Sequence, residues 1–270
     1  MGTPWAPLLL EGALIAAALR LLHAFGLRVG TGTRGLVASL GLVLTLGFTA
    51  WLLAMVTFIL LADKVMDHTT HDLDLATLHW LRTFHTSTLE NAANLASTFG
   101  SEVLVGLWVL LVSVLGFQRR WSDAAGLAIV MLGASSFHLL LKLTLQRPPP
   151  EVSPGVIVAQ SFSFPSGHAA AAAALYGYLS ILAWQRWHGW RRYFIVLFMA
   201  SLIVAVGLSR LFLGYHYLTD VIAGWIAGFL WADSVALSTA LLRRHQTRRD
   251  AESSTVEPLA DVVGAPQGAH

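Results

Sequence analysis

The chain has 270 residues, of which 56% are apolar and only 12% are charged, and its formal net charge is +2. An ordinary soluble domain is about 25% charged. This composition therefore argues against a soluble enzyme, a disordered chain and a nucleic-acid-binding protein. The chain contains no cysteine, so disulfides, thiolate metal sites and a cysteine nucleophile are excluded.

Long uncharged or nearly uncharged runs predict an all-α protein, a polytopic membrane helix bundle. A helix needs roughly 20 mostly apolar residues to cross the hydrocarbon core of a bilayer. Six runs are predicted to do so: 35–62, 102–118, 123–145, 167–185, 193–212 and 217–242.

The N-terminal segment 5–26 is also apolar but carries Glu11, Arg20 and His23. It fits either an extra span, which its length favours, or a helix lying in the membrane interface. The predicted organisation is an N-terminal helix and cytoplasmic loop over 1–34, a membrane domain over 35–245 and a polar, disordered cytoplasmic tail over 246–270.

Arginine placement predicts the orientation. Cytoplasmic loops collect Lys and Arg, and the predicted spans put four arginine clusters on one side of the membrane: 28–34, 119–120, 186–192 and 243–249. We therefore expect a cytoplasmic C-terminus in a cell inner (plasma) membrane, with 63–100 and 146–166 outside. Within 63–100, leucines at helical spacing from Leu73 to Leu81 indicate an amphipathic helix, and the acidic residues of 63–74 favour a solvated face.

Polar residues gather near the predicted outer ends of the spans. They are Lys142, Arg147, Ser166, Gly167, His168, Ser209, Arg210, His216 and Asp220. Charges at membrane depth are costly and are usually functional or paired. Three cations, two histidines and one aspartate at one depth indicate an anion site with titratable groups beside it. His138 is interpreted as a packing residue.

The spacing of these residues indicates phosphoryl transfer. His216 and Asp220 share a helix face, so the carboxylate can hold one imidazole nitrogen and leave the other free to attack. Ser166 and Gly167 follow Pro165 and predict a helix start, where backbone N–H groups bind phosphate. The three cations supply donors to phosphate oxygens.

Two segments resemble a known family. FPSGH at 164–168 and SRLFLGYHYLTD at 209–220 are similar to the second and third signature motifs of the type 2 phosphatidic acid phosphatase family. The first motif of that family is Lys, six residues, then Arg-Pro. Here the run that starts at Lys142 has Pro149 in the arginine position, and Arg147 precedes it by two residues.

The resemblance implies a metal-independent phosphatase with a six-helix core and no cofactor. It assigns His216 as the nucleophile that forms a phosphohistidine, Asp220 as the group that orients it, and His168 as the acid for the leaving oxygen. The phosphate would be held by Lys142, Ser166, Gly167 and Arg210, with Arg147 as a substitute for the arginine missing at Pro149. Arg147 would reach the site through a bend in the run Pro148–Pro150.

The main hypothesis is hydrolysis of a lipid phosphate or diphosphate at the extracytoplasmic face, since an interfacial site suits a substrate whose tail stays in the bilayer. Undecaprenyl diphosphate, phosphatidylglycerol phosphate and phosphatidic acid all fit. One alternative is a phosphotransferase that passes the phosphoryl group to another acceptor. Another is a lipid-phosphate-binding or transport protein without turnover. The expected partners are the lipid substrate and the bilayer, with no nucleic acid, and the oligomeric state is left open.

Overall fold

The structure is a computed structural model that describes residues 33–150 and 162–263, with side chains over 45–150 and 162–242. All regular secondary structure in these ranges is helical. The helices are α1 (Thr33–Met66), α2 (His71–Arg82), α3 (Ser87–Thr98), α4 (Glu102–Phe117), α5 (Trp121–Leu145), α6 (Gly167–Arg186), α7 (Trp190–Phe212) and α8 (Leu218–Val263). The predicted all-α class is confirmed. The predicted N-terminal segment 5–26 lies outside the described residues.

The chain divides into two compact units, residues 1–57 and 58–270. The first includes the part of α1 up to Thr57, where Phe48, Leu52 and Leu53 are exposed. The second contains the rest of the chain, and every predicted site residue falls within it.

Five helical stretches of the described chain are long and apolar enough to cross a membrane: Thr45–Met66, Ser87–Phe117, Trp121–Leu145, Trp190–Phe212 and Leu218–Leu242. They correspond to five of the six predicted runs. The sixth run, 167–185, forms α6, which is less hydropathic than the others because a histidine, two tyrosines, a serine and two glycines lie among its apolar residues. The second stretch also begins at Ser87 rather than at 102, because α3 leads directly into α4.

Helix α6 forms the centre of the second unit, and its alanines allow α8 to approach closely. Ala169, Ala172 and Ala173 are fully buried. A Cβ placed on Gly228 of α8 would lie 2.7 Å from the Cβ of Ala173. Small residues at such a contact let two helix backbones pack tightly in a membrane, and this contact sets the spacing between the starts of α6 and α8.

The outer faces of α4, α5 and α7 are apolar. Phe117 is 92% exposed, Leu197 69% and Phe194 64%. Apolar surface of this extent is rare on soluble monomers, and a bilayer covers it. The described chain is therefore an integral membrane helix bundle.

The segment predicted to lie outside the membrane contains the helix that its leucine spacing indicates. This helix is α2, which buries Leu78. The prediction of a solvated acidic face is wrong for Asp74, which is fully buried, although Asp63 and Asp72 are exposed. Asp74 precedes Leu78 by four residues, so it lies on the buried face of α2.

The end of the chain also differs from expectation. Helix α8 continues to Val263, so most of the tail expected to be disordered from 246 is helical in the structure. The stretch after 242 contains four arginines, which are good helix formers, and it extends a helix that the apolar segment has already nucleated.

Candidate active site

The start of α6 and the start of α8 meet at the site. The backbone N–H of Ser166 donates to the backbone carbonyl of Asp220 at 2.9 Å. Ser166 and Asp220 are both fully buried, and His216 is 7% exposed. This contact brings the two segments that carry the second and third sequence motifs to one place.

His216 and Asp220 form a buried pair. The distance from His216 Nδ1 to Asp220 Oδ2 is 3.6 Å, and the backbone N–H of Tyr217 donates to the same carboxylate oxygen at 2.9 Å. Catalytic hydrogen bonds are often long before substrate binds. With Nδ1 facing the carboxylate, Nε2 is the imidazole nitrogen left for chemistry.

Burial lowers the pKa of His216. The nearby carboxylate of Asp220 opposes this shift in the pKa, while the cations Arg210 and Lys142 add to it. The net effect keeps the imidazole neutral at neutral pH, which is the form that can act as a nucleophile.

Arg147 lies against the other oxygen of Asp220. Its Nη1 donates to Asp220 Oδ1 at 2.5 Å and to Thr219 Oγ1 at 2.8 Å, and its Nη2 donates to Asp74 Oδ2 at 2.7 Å. Burial lowers the pKa of Arg147, but the Asp220 and Asp74 carboxylates outweigh burial and raise it. The guanidinium also stacks 4.0 Å above the ring of Tyr217. Its terminal nitrogens thus contact two carboxylates and a hydroxyl.

The bend that brings Arg147 to this position is earlier than predicted. Helix α5 ends at Leu145, and Gln146 adopts a left-handed conformation with φ 47°. The chain therefore turns one residue before Arg147, not within the following prolines. The backbone carbonyl of Arg147 then accepts from the N–H of Ser163 at 2.7 Å, so the segment before α6 pairs with the segment after α5.

Ser166 and Arg210 offer buried donors that have no protein partner. Ser166 precedes α6, but its hydroxyl makes no capping bond and no other hydrogen bond. Arg210 donates from Nη1 to Ser97 Oγ at 2.7 Å and stacks 4.2 Å above Tyr215, while its Nε is buried and unpaired. Unsatisfied buried donors are costly, so free donors beside a helix N-terminus are typical of a site for an anion.

His138 and His168 line a cavity of about 230 Å³ beside these donors. Gly167 lies between them: a Cβ there would be 2.6 Å from His138 Nε2. His138 interacts electrostatically with Lys142 and His216, and the half-buried Lys142 interacts with Asp220 and Arg210. The two α5 side chains are one turn apart, so both face the site.

The structure brings all the predicted site residues into this one region. It also adds three that the sequence interpretation missed. Ser97 holds Arg210, and Asp74 holds Arg147. His138 borders the cavity instead of only packing. The sequence did carry a signal for two of them. Asp74 precedes Leu78 by four residues and His138 precedes Lys142 by four, so each pair shares one face of its helix. Within the described ranges, no group of three His, Asp or Glu side chains is arranged to hold a metal ion.

These features define a class: an integral membrane helix bundle in which buried, unpaired donors lie near a His–Asp pair. Residues 123–244 match the model of the PAP2 superfamily. The resemblance to the type 2 phosphatidic acid phosphatase family is confirmed over these residues.

Two relatives extend the comparison. Phosphatidylglycerophosphatase B of Bacillus subtilis (strain 168) is 29% identical over 132 residues, which make up 48% of this chain and 64% of that protein. The match thus covers less than two thirds of the relative. The crystal structure of a transmembrane PAP2 type phosphatidylglycerolphosphate phosphatase from Bacillus subtilis superposes with a TM-score of 0.63 at 25% identity, covering 69% of this chain and 94% of that chain.

Proposed function

We propose that this protein is a membrane phosphatase that hydrolyses a lipid phosphate through a phosphohistidine on His216. The observation that carries the proposal is the buried His216–Asp220 pair beside the unpaired donors of Ser166 and Arg210. A nucleophile and an anion cradle at one place are the parts that phosphoryl transfer requires, since catalysis there is mostly positioning and charge stabilisation.

In the first step, His216 Nε2 attacks phosphorus and the bond from phosphorus to the lipid oxygen breaks. Protonated His168 donates its proton to that leaving oxygen, so the lipid departs as an alcohol or as the shorter phosphate. Asp220 supports the positive charge that develops on the imidazole. Arg210, Ser166, Lys142 and the N-terminal amides of α6 would neutralise the phosphoryl oxygens.

In the second step, neutral His168 accepts a proton from water as the water oxygen attacks phosphorus. The phosphorus–nitrogen bond breaks, its electrons return to His216, and inorganic phosphate leaves. The same imidazole thus serves as acid and then as base. No residue in this scheme has to bind a metal ion.

Arg147 takes a different part in this proposal from the one its sequence position suggests. Its terminal nitrogens contact Asp220 and Asp74, so it supports the carboxylate that orients His216. The phosphate contact expected from the family's first motif stays a prediction for Arg147.

Substrate and membrane face are also proposed. The relatives are described as phosphatases of phosphatidylglycerol phosphate, so this lipid is the first to test, before phosphatidic acid and undecaprenyl diphosphate. The arginine-rich loops at 119–120 and 186–192 support a cytoplasmic location for the end of the bundle opposite to the site.

The test is phosphate release by the purified full-length protein in detergent with EDTA, over the three lipids. We expect release by the wild type, no release by His216→Ala, and wild-type release by His188→Ala, a change at an exposed histidine after α6. Release by His216→Ala at the wild-type rate would contradict the mechanism. Labelled phosphate should be trapped on the wild type and not on His216→Ala.

A further inference from the structure

Asp74 is a buried carboxylate that takes no part in either step of the proposed mechanism. It lies on α2, outside the three sequence motifs, and it is fully buried. Its Oδ1 accepts from the backbone N–H of Thr219 at 3.0 Å. Its Oδ2 accepts from Thr219 Oγ1 at 2.7 Å and from Arg147 Nη2 at 2.7 Å. A carboxylate with this many donors is held in one position.

Thr219 and Arg147 each connect Asp74 to Asp220. Thr219 is the residue before Asp220, and its hydroxyl accepts from Arg147 Nη1 while it donates to Asp74. Arg147 donates to both carboxylates at once. Since the guanidinium is planar and forked, it can serve two carboxylates in a fixed geometry. Asp74 therefore acts on the same cation that contacts Asp220.

The charge balance gives this arrangement a consequence. Two carboxylates and one guanidinium leave a net charge of about −1 in this cluster, and Asp220 is the member of the cluster that faces His216. If Arg147 were paired with Asp220 alone, that carboxylate would be neutralised and the imidazole would lose its counter-charge. Opposite charge favours the protonated and the phosphorylated imidazole, so a shared guanidinium preserves the effect of Asp220 on His216.

We infer that Asp74 is a positioning residue for the catalytic pair: it holds Arg147 so that Asp220 keeps both its orientation and its negative charge toward His216. This inference rests on the proposed function. The charged and titratable groups that interact with His216 itself are His138 and Lys142 on α5, His168 on α6, Arg210 on α7 and Asp220 on α8. Asp74 on α2 and Arg147 after α5 act on it through Asp220.

The inference predicts opposite shifts for two variants. In Asp74→Asn, Asp220 is the remaining carboxylate partner of Arg147, so less negative charge acts on His216 and its pKa should fall. The acid limb of the kcat/KM profile, which is where His216 becomes protonated, should therefore move to lower pH. Arg147→Gln leaves both carboxylates unneutralised, so the limb should move to higher pH. We expect shifts of about half a pH unit, because direct neighbours shift a pKa by 1–3 units and these charges act from further away. The double variant restores the net charge, and its limb should lie near that of the wild type.

Asp72→Asn is the matched control, because Asp72 is exposed in the same turn of α2 and the change removes the same charge. Phosphate release from a short-chain lipid phosphate is measured across pH for each variant. In Asp74→Asn we expect kcat to fall about tenfold with KM within about twofold, as for a group that acts on the transition state. Asp72→Asn should match the wild type.

The position of a pH limb does not depend on how much protein is folded, so partial misfolding leaves the test intact. If one single variant yields no folded protein, the direction of the shift in the other decides. Unmoved limbs in the single variants, in a wild type that releases phosphate, would overturn the role of Asp74 and leave the proposed function standing. A wild type that is inactive on every lipid phosphate would overturn the proposed function itself.

Discussion

The backbone N–H of Ser166 is hydrogen-bonded to the backbone carbonyl of Asp220 at 2.9 Å. This bond ties the residue before α6 to the first turn of α8 without using either side chain. Substitution of the Ser166 hydroxyl should therefore change the chemistry of the site more than its architecture. The spacing of the two helices depends instead on the small residues that surround this bond.

Gly224 is one of those small residues. A Cβ at this position would lie 2.7 Å from the carbonyl oxygen of Ser166, so Gly224→Ala should push α6 and α8 apart. We expect a loss of roughly 1–3 kcal/mol in the free energy of unfolding, as for other overpacked contacts, together with slower phosphate release. Thermal unfolding in detergent measures the first. Gly106→Ala is the control, since nothing lies within 4 Å of its Cβ position, and equal stability of the two variants would contradict this account.

Gly167 separates His138 from the start of α6. Gly167→Ala should lower phosphate release, because the new methyl group would lie 2.6 Å from His138 Nε2 and would displace the ring. Replacing the His138 ring by a methyl group should relieve this clash, so the double variant Gly167→Ala, His138→Ala should release phosphate faster than Gly167→Ala alone. The four rates form a double-mutant cycle. Additive effects in that cycle would show that the two residues do not meet as described.

The pKa of His216 predicts the acid side of the pH profile. Burial lowers this pKa from its ordinary value of about 6.5, so wild-type kcat/KM should stay high below pH 6.5 and fall only at lower pH. The free energy of unfolding should depend on pH in the same direction. As pH falls below about 6.5, the imidazole takes up a proton in the unfolded chain before it does so in the folded protein. The stability contributed by neutral His216 is therefore lost between about pH 6.5 and the lowered pKa. His188→Ala should keep the same profile. An acid limb at or above pH 6.5 would contradict the prediction.

The proposed orientation can be tested by cysteine labelling, because the chain has no cysteine of its own. His79 on α2 and His188 after α6 are both exposed, so His79→Cys and His188→Cys each add one accessible thiol. An impermeant thiol reagent should label the first in intact cells and the second only after lysis. Each variant serves as the control for the other. The reverse pattern would place the site in the cytoplasm.

The predicted spans match the observed helices closely because hydropathy is a local property. The run 123–145 lies within α5, and 193–212 lies within α7. The pairing of His216 with Asp220 is also local, since four residues on a helix share a face. The run 167–185 likewise lies within α6.

The sequence by itself determined the membrane class, the resemblance to a family and the short-range motifs, because spacing within one helix or turn is enough to identify them. Only the tertiary structure decided what Arg147 contacts. Its two carboxylate partners, Asp74 and Asp220, each lie 73 residues away along the chain. Such a pairing depends on how α2, the end of α5 and α8 pack together. For the same physical reason Asp74 looked like a solvated surface residue in the sequence and is a buried member of the site in the fold.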